Sequence, residues 1–141
     1  MGLDTYFRSA AIGASAGLRT FSAPAATLAA GGSAWTGIAI FVAAGELIFD
    51  KLPAAPSRLS PAGLGARIVS GGSCGAALAD RADGSRTLGA LCGAATAVAS
   101  AFAGHSFRRY LTKTIGWSDL PIALIEDALA IGTARVANAV D

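Results

Sequence analysis

Five stretches near twenty residues long carry the bulk of the apolar side chains, and short connections separate them: about 8–30, 34–51, 62–79, 86–110 and 120–138. A helix needs roughly 20 apolar residues to cross ~30 Å of hydrocarbon, so each stretch has the length of a membrane span. The segments lack strict alternation and are rich in Ala, which favours helix over strand. Charged residues are 14% of the chain against 53% hydrophobic. An ordinary water-soluble domain has about 25% charged residues. A surface this poor in charge is easier to cover with lipid than with water. The expectation is an all-α, polytopic membrane helix bundle of about five transmembrane helices, forming one domain over residues 1–141. A soluble Ala-rich bundle is the alternative.

The connections "GGS", "LPAAPSRLSP", "DRADGS" and "LTKTIGWSD" have turn compositions. Pro61 and Pro121 fall near helix starts, and Ser118 or Asp119 is placed to cap the last helix. Gly13/Gly17, Gly71/Gly75, Gly89/Gly93 and Ala97/Ala101 are four apart. That spacing lets backbones approach closely in a membrane bundle. Ser70 and Ser73 read as further small packing residues, and Cys74 and Cys92 as buried thiols outside any disulfide framework. In the first span Arg19 lies between Gly17 and Pro24, so a kink or break is expected there, with Arg19 facing protein or water. Alternation puts the N-terminus, the 51–61 loop and the 108–119 loop on one side. That side holds Arg8, Lys51, Arg58, Arg67, Arg108, Arg109 and Lys113, which predicts a cytoplasmic N-terminus in a bacterial inner membrane. Trp35 and Trp117 fall near the expected interfaces.

Several functions are not indicated. Net charge is +2 with no Lys/Arg-rich run, which argues against nucleic acid. The beginning "MGLDTYFR" is not clearly basic and lacks the Ser/Thr of a myristoylation signal, so neither a cleaved leader nor that lipid is expected. No G-x-S-x-G, Walker A loop or clustered Cys/His spacing is present, so catalysis and a cofactor have no specific support.

Against this apolar background the ionisable residues of the spans stand out. Glu46 and Asp50 are four apart and share a helix face, with Lys51 beside them. Glu126 and Asp127 lie about two turns into the last span; Arg67 is early in the third; His105, Arg108 and Arg109 end the fourth. With Arg19, these groups are expected to meet at one end of the bundle. Two roles fit such a cluster. One is a charged vestibule of a small ion- or proton-coupled transporter or channel, in which Glu46 and Glu126 relay the ion and Arg19 sets the field. The other is a set of structural ion pairs in a non-transporting scaffold or lipid-binding protein. A carboxylate metal site from Glu46, Asp50, Glu126 and Asp127 is chemically allowed, although the neighbouring bases compete with it, and a lipid-headgroup enzyme would need such a metal or a nucleophile. His105 reads as a packed or hydrogen-bonded residue that could also gate a polar path. Expected partners are membrane lipids, further copies of the chain in a homo-oligomer, and a small ion or an anionic headgroup.

"ASAG" at 14–17 and "AFAG" at 101–104 each precede basic residues and, one span later, an acidic motif, as in an inverted repeat. The strings "AGLRTFSAPA", "GELIFDKLPAAPSRLSPAGLGARIVSGGSCGAALA" and "PIALIEDALAIG" resemble a family of small bacterial integral membrane proteins known as a domain of unknown function. The resemblance rests on Gly17, Leu18, Arg19, Glu46, Asp50, Lys51, Pro53, Arg58, Arg67, Glu126 and Asp127. It implies membrane residence and carries no activity.

Overall fold

The computed structural model describes residues 2–49 and 59–139. It is all-helical among those residues: α1 (Leu3–Leu18), α2 (Ser22–Ala30), α3 (Thr36–Phe49), α4 (Pro61–Arg81), α5 (Arg86–Tyr110) and α6 (Asp119–Asn138). A wide π turn at Leu111–Ile115 extends α5. It stops at Gly116, whose φ of 77° is a left-handed conformation that glycine adopts without steric cost. Ser60 accepts a hydrogen bond from the Gly63 amide with Pro61 in the first turn, and Ser85 accepts one from Leu88. Ser118 occupies the cap position of α6 but makes no side-chain cap bond, and the neighbouring Asp119 is engaged by Arg108.

The path of the chain follows from which residues meet. Arg8 donates to the carbonyls of Ala137 and Ala139, Ser15 to that of Ala130, and Arg19 pairs with Asp127, so α1 and α6 run antiparallel. Thr96 and Ser100 donate to the carbonyls of Ala10 and Ala14, so α5 runs parallel to α1. Arg67 meets Gly17 and Ser9 meets Gly75, so α4 is antiparallel to α1. Thr27 meets both Arg81 and Asn138, which returns α2 to the end where α1 began. The expected single first span is therefore a hairpin of two helices folding back at Arg19–Phe21. Six helices among the described residues take the place of the five expected. The N-terminal residues, the α4–α5 turn and the end of α6 share one end of the bundle, the near end. The start of α4, the end of α5 and the start of α6 form the far end.

This overturns the expected sidedness. Arg8 lies at the end opposite Arg108, Arg109 and Lys113. Among the described bases, Arg8, Arg81, Arg86 and Arg135 lie toward the near end, and Arg67, Arg108, Arg109 and Lys113 toward the far end. That even split removes the argument for a cytoplasmic N-terminus. The inverted repeat also fails, because "ASAG" in α1 and "AFAG" in α5 run in the same direction. Alternation went wrong because a span-length window cannot distinguish one long helix from two short ones that double back.

Helix α1 is the centre, packed by α4, α5 and α6, while α3 rests on α2. At the α1–α4–α5 crossing a Cβ on Gly71 would sit 2.7 Å from the Gly93 carbonyl oxygen, and one on Gly13 or Gly93 would press on backbone more closely still. The four-residue glycine spacing thus places bare backbone against bare backbone. Only one continuous helix among the described residues, Arg86–Ile115, is long and apolar enough to cross a membrane; Thr36–Glu46 is apolar but short. Glu126, Asp127 and Arg135 interrupt α6, and Gly, Ser and Arg67 dilute α4, so the five-span reading does not carry over from length alone.

Candidate functional site: the helix break and the slot beside it

Gly17 and Pro24 flank a loss of helix, and Arg19 there is extended, with φ −141° and ψ 117°. A helix end in a water-poor interior leaves backbone donors and acceptors that need partners. The partners come from side chains of other helices. The Glu46 carboxylate accepts from the Thr20 amide at 2.7 Å and the Phe21 amide at 2.8 Å. A negative group at the start of α2 also complements the helix dipole. Arg67 Nε donates to the Gly17 carbonyl at 3.1 Å, which closes the end of α1. Ser70 donates to the Thr20 carbonyl at 2.5 Å and Ser22 to that of Arg19 at 2.9 Å. The Arg19 side chain, 0% exposed, meets Asp127 Oδ1 through Nη2 at 2.5 Å and Nε at 2.6 Å.

Arg19, Glu46, Arg67 and Asp127 are thus brought together, with a structural task that spacing alone did not reveal: they hold the hairpin bend. Ser70 and Ser22, read as packing residues or not singled out, belong to the same set. Their signal was faint, since a serine facing a carbonyl looks in sequence like a serine filling a gap. Glu126 and Arg108 form a second group nearby, with Arg108 Nη1 3.6 Å from Glu126 and Arg108 Nε 2.6 Å from Asp119. His105 is half-buried on the rim of α5, lining a surface cleft with Arg108, Arg109 and Lys113. Asp50, Lys51 and Arg58 lie outside the described residues. No group of three His, Cys, Asp or Glu side chains among the described residues is placed to hold a metal ion. Cys74, in the core, and Cys92, half-buried, are free thiols.

Beside the bend a slot of about 450 Å³ opens between α2, α3 and α6. Arg19, Ser22 and Glu46 stand at its inner end, and Arg135 and Asn138 at the near end of the bundle. Ala and Ile line most of the remainder. The volume lies within the ~300–1,000 Å³ usual for small-molecule sites. No known protein family, curated protein or solved structure matches this chain.

Proposed function

We propose that this chain is a small multi-pass helical membrane protein that binds a lipid-like molecule in the slot and uses its buried charges to hold the re-entrant hairpin. The observation behind the membrane reading is that the packing is inside out relative to a water-soluble bundle. The largest side chains fully shielded from solvent are Arg19, Ile12, Ile122, Ser9 and Ser15, so three of the five are polar, and most of the other buried apolar residues are alanines. Large apolar side chains point outward from five helices, among them Phe7, Phe41, Val69, Leu91, Phe102, Leu124, Leu129 and Val136. Lipid removes the penalty for that surface, and small residues then supply the contact between helices.

Four further features agree. Helix α6, of 20 residues, spans about 30 Å at 1.5 Å per residue, the thickness of the hydrocarbon layer. Trp35 and Trp117, both well exposed, stand at opposite ends of the bundle, as interfacial aromatics do. The apolar window of Arg86–Ile115 is only 22% buried, unlike the core helix of a soluble protein. The acids that interrupt α6 face inward, toward Arg19 and Arg108, and not toward lipid.

The lipid-binding reading is preferred to ion transport because the slot is mostly apolar and Glu46 is held by backbone donors. A cation or proton relay through Glu46 and Glu126 is the second reading. It is favoured by the gathering of Arg19, Glu46, Arg67, Arg108, Glu126 and Asp127 toward one end. Two experiments test the proposal. The chain should stay with membranes through alkaline carbonate extraction, and release into the supernatant would refute membrane residence. In proteoliposomes no proton or cation flux is expected; flux abolished by Glu46→Gln would favour the relay instead.

A further inference from the structure

The slot has an unequal pair of ends, and the near end carries the more informative atom. Asn138 is the last residue of α6 and is 6% exposed. Its Nδ2 donates to the Ala134 carbonyl at 2.9 Å and points at Thr27 Oγ1, 3.5 Å away. Its Oδ1 is buried and has no hydrogen-bond partner among the described residues. An unsatisfied buried acceptor costs about 1–3 kcal/mol, and most such groups in folded proteins have a partner. Asn138 lines the open slot, so a molecule in that slot with an O–H or N–H that reaches this residue would satisfy its acceptor. Arg135, three residues earlier on the same helix face, lines the same mouth and is exposed. It makes no ion pair with a described carboxylate.

These groups specify an occupant by position and chemistry. The mouth sits at the end of α6, the level at which headgroups would lie if the ~30 Å helix spans the hydrocarbon. It presents one acceptor and one cation. From there the slot runs inward along α2 between Ala and Ile side chains, a wall suited to an alkyl chain. Its inner end is closed by the bend, where Arg19 is paired with Asp127 and Glu46 is bonded to backbone amides. We infer that the slot is a binding site for a single-chain lipid with a hydroxyl-bearing, anionic glycerophosphate head. A head hydroxyl donates to Asn138 Oδ1, the phosphate lies against Arg135, and the acyl chain fills the passage between α2, α3 and α6.

The inference rests on the membrane reading and is tested separately from it. The probe is monomyristoyl phosphatidylglycerol, added to the full-length protein after delipidation in a bulky steroid-based detergent and followed by native mass spectrometry. One saturable molecule per chain is expected. Asn138→Leu should weaken binding at least tenfold while leaving the helicity of the lipid-free protein unchanged by circular dichroism. Arg135→Gln should weaken the probe several-fold and leave myristyl glycerol, which lacks phosphate, unaffected. Ala43→Phe, which fills the slot from α3, should abolish binding with helicity unchanged by circular dichroism. Absence of saturable binding to the wild-type protein would overturn the inference, as would binding indifferent to both Asn138→Leu and Ala43→Phe. Release of the wild-type chain by carbonate would instead refute the membrane reading beneath it.

Discussion

Replacing Asp127 by Asn removes a carboxylate that faces a buried guanidinium in the bundle. Arg19 is fully buried, and Asp127 Oδ1 lies within 2.6 Å of both Nε and Nη2. The amide keeps the size of the carboxylate and removes its charge, so the change isolates the electrostatic part. Removing one partner of a buried pair costs about 3–5 kcal/mol, because the remaining charge loses compensation that water does not replace. At 1.4 kcal/mol per decade, that is a fall of roughly two to three and a half decades in the folding equilibrium constant. Reversible unfolding of the purified protein in mixed micelles, with increasing mole fraction of dodecyl sulfate, would measure it. The double replacement Arg19→Met with Asp127→Leu removes both charges and should lie within about 1 kcal/mol of wild type or above it, as apolar replacement of a buried pair often does. A loss below about 1 kcal/mol for Asp127→Asn would refute the reasoning, since the Asp127 charge would then contribute little to holding Arg19. So would a double variant as unstable as the single one.

Other outcomes follow from the same geometry. Glu46→Gln keeps one acceptor oxygen for the Thr20 and Phe21 amides but loses its charge, so a loss of about 1–2 kcal/mol is expected in the same unfolding assay. Gly93→Ala drives a methyl group into the Gly71 carbonyl and should cost at least about 1–3 kcal/mol. Gly132→Ala, where a Cβ meets nothing within 4 Å, should stabilise by about 0.8–1 kcal/mol; equal effects at the two glycines would contradict the crossing. Cysteines introduced at Leu3 and Ala139 should react with an impermeant maleimide from the same face of sealed vesicles, and one at Trp117 from the opposite face. Labelling of Leu3 and Trp117 positions together would restore five crossings and remove the hairpin.

Much of the helical content was readable from periodicity and from Gly, Pro and Ser punctuation, because those signals act within a few residues. The α3 to α6 segments fall close to their expected bounds for that reason. The break at Arg19 was also legible: a charge between Gly17 and Pro24 is a local conflict, and local conflicts mark irregular backbone. The direction of α2 after the break was not. Its nine residues continue the apolar run without interruption, and only contacts with Arg81 and Asn138 turn it back toward its origin. Every inference that depended on counting crossings, including the side of the N-terminus and the inverted repeat, inherited that error.

Composition and spacing by themselves determined that this chain forms helices, that small residues let the helices pack closely, and that its ionisable residues would be costly unless they met. Tertiary structure alone decided what they met. Glu46, Arg67, Ser22 and Ser70 bind backbone groups exposed by a bend, and Asp127 neutralises the side chain carried there. Asn138, at the edge of the slot, is left with a buried acceptor that has no partner among the described residues. The reason is physical: hydrophobic periodicity is a property of one helix, whereas satisfying a buried polar atom requires a partner from another.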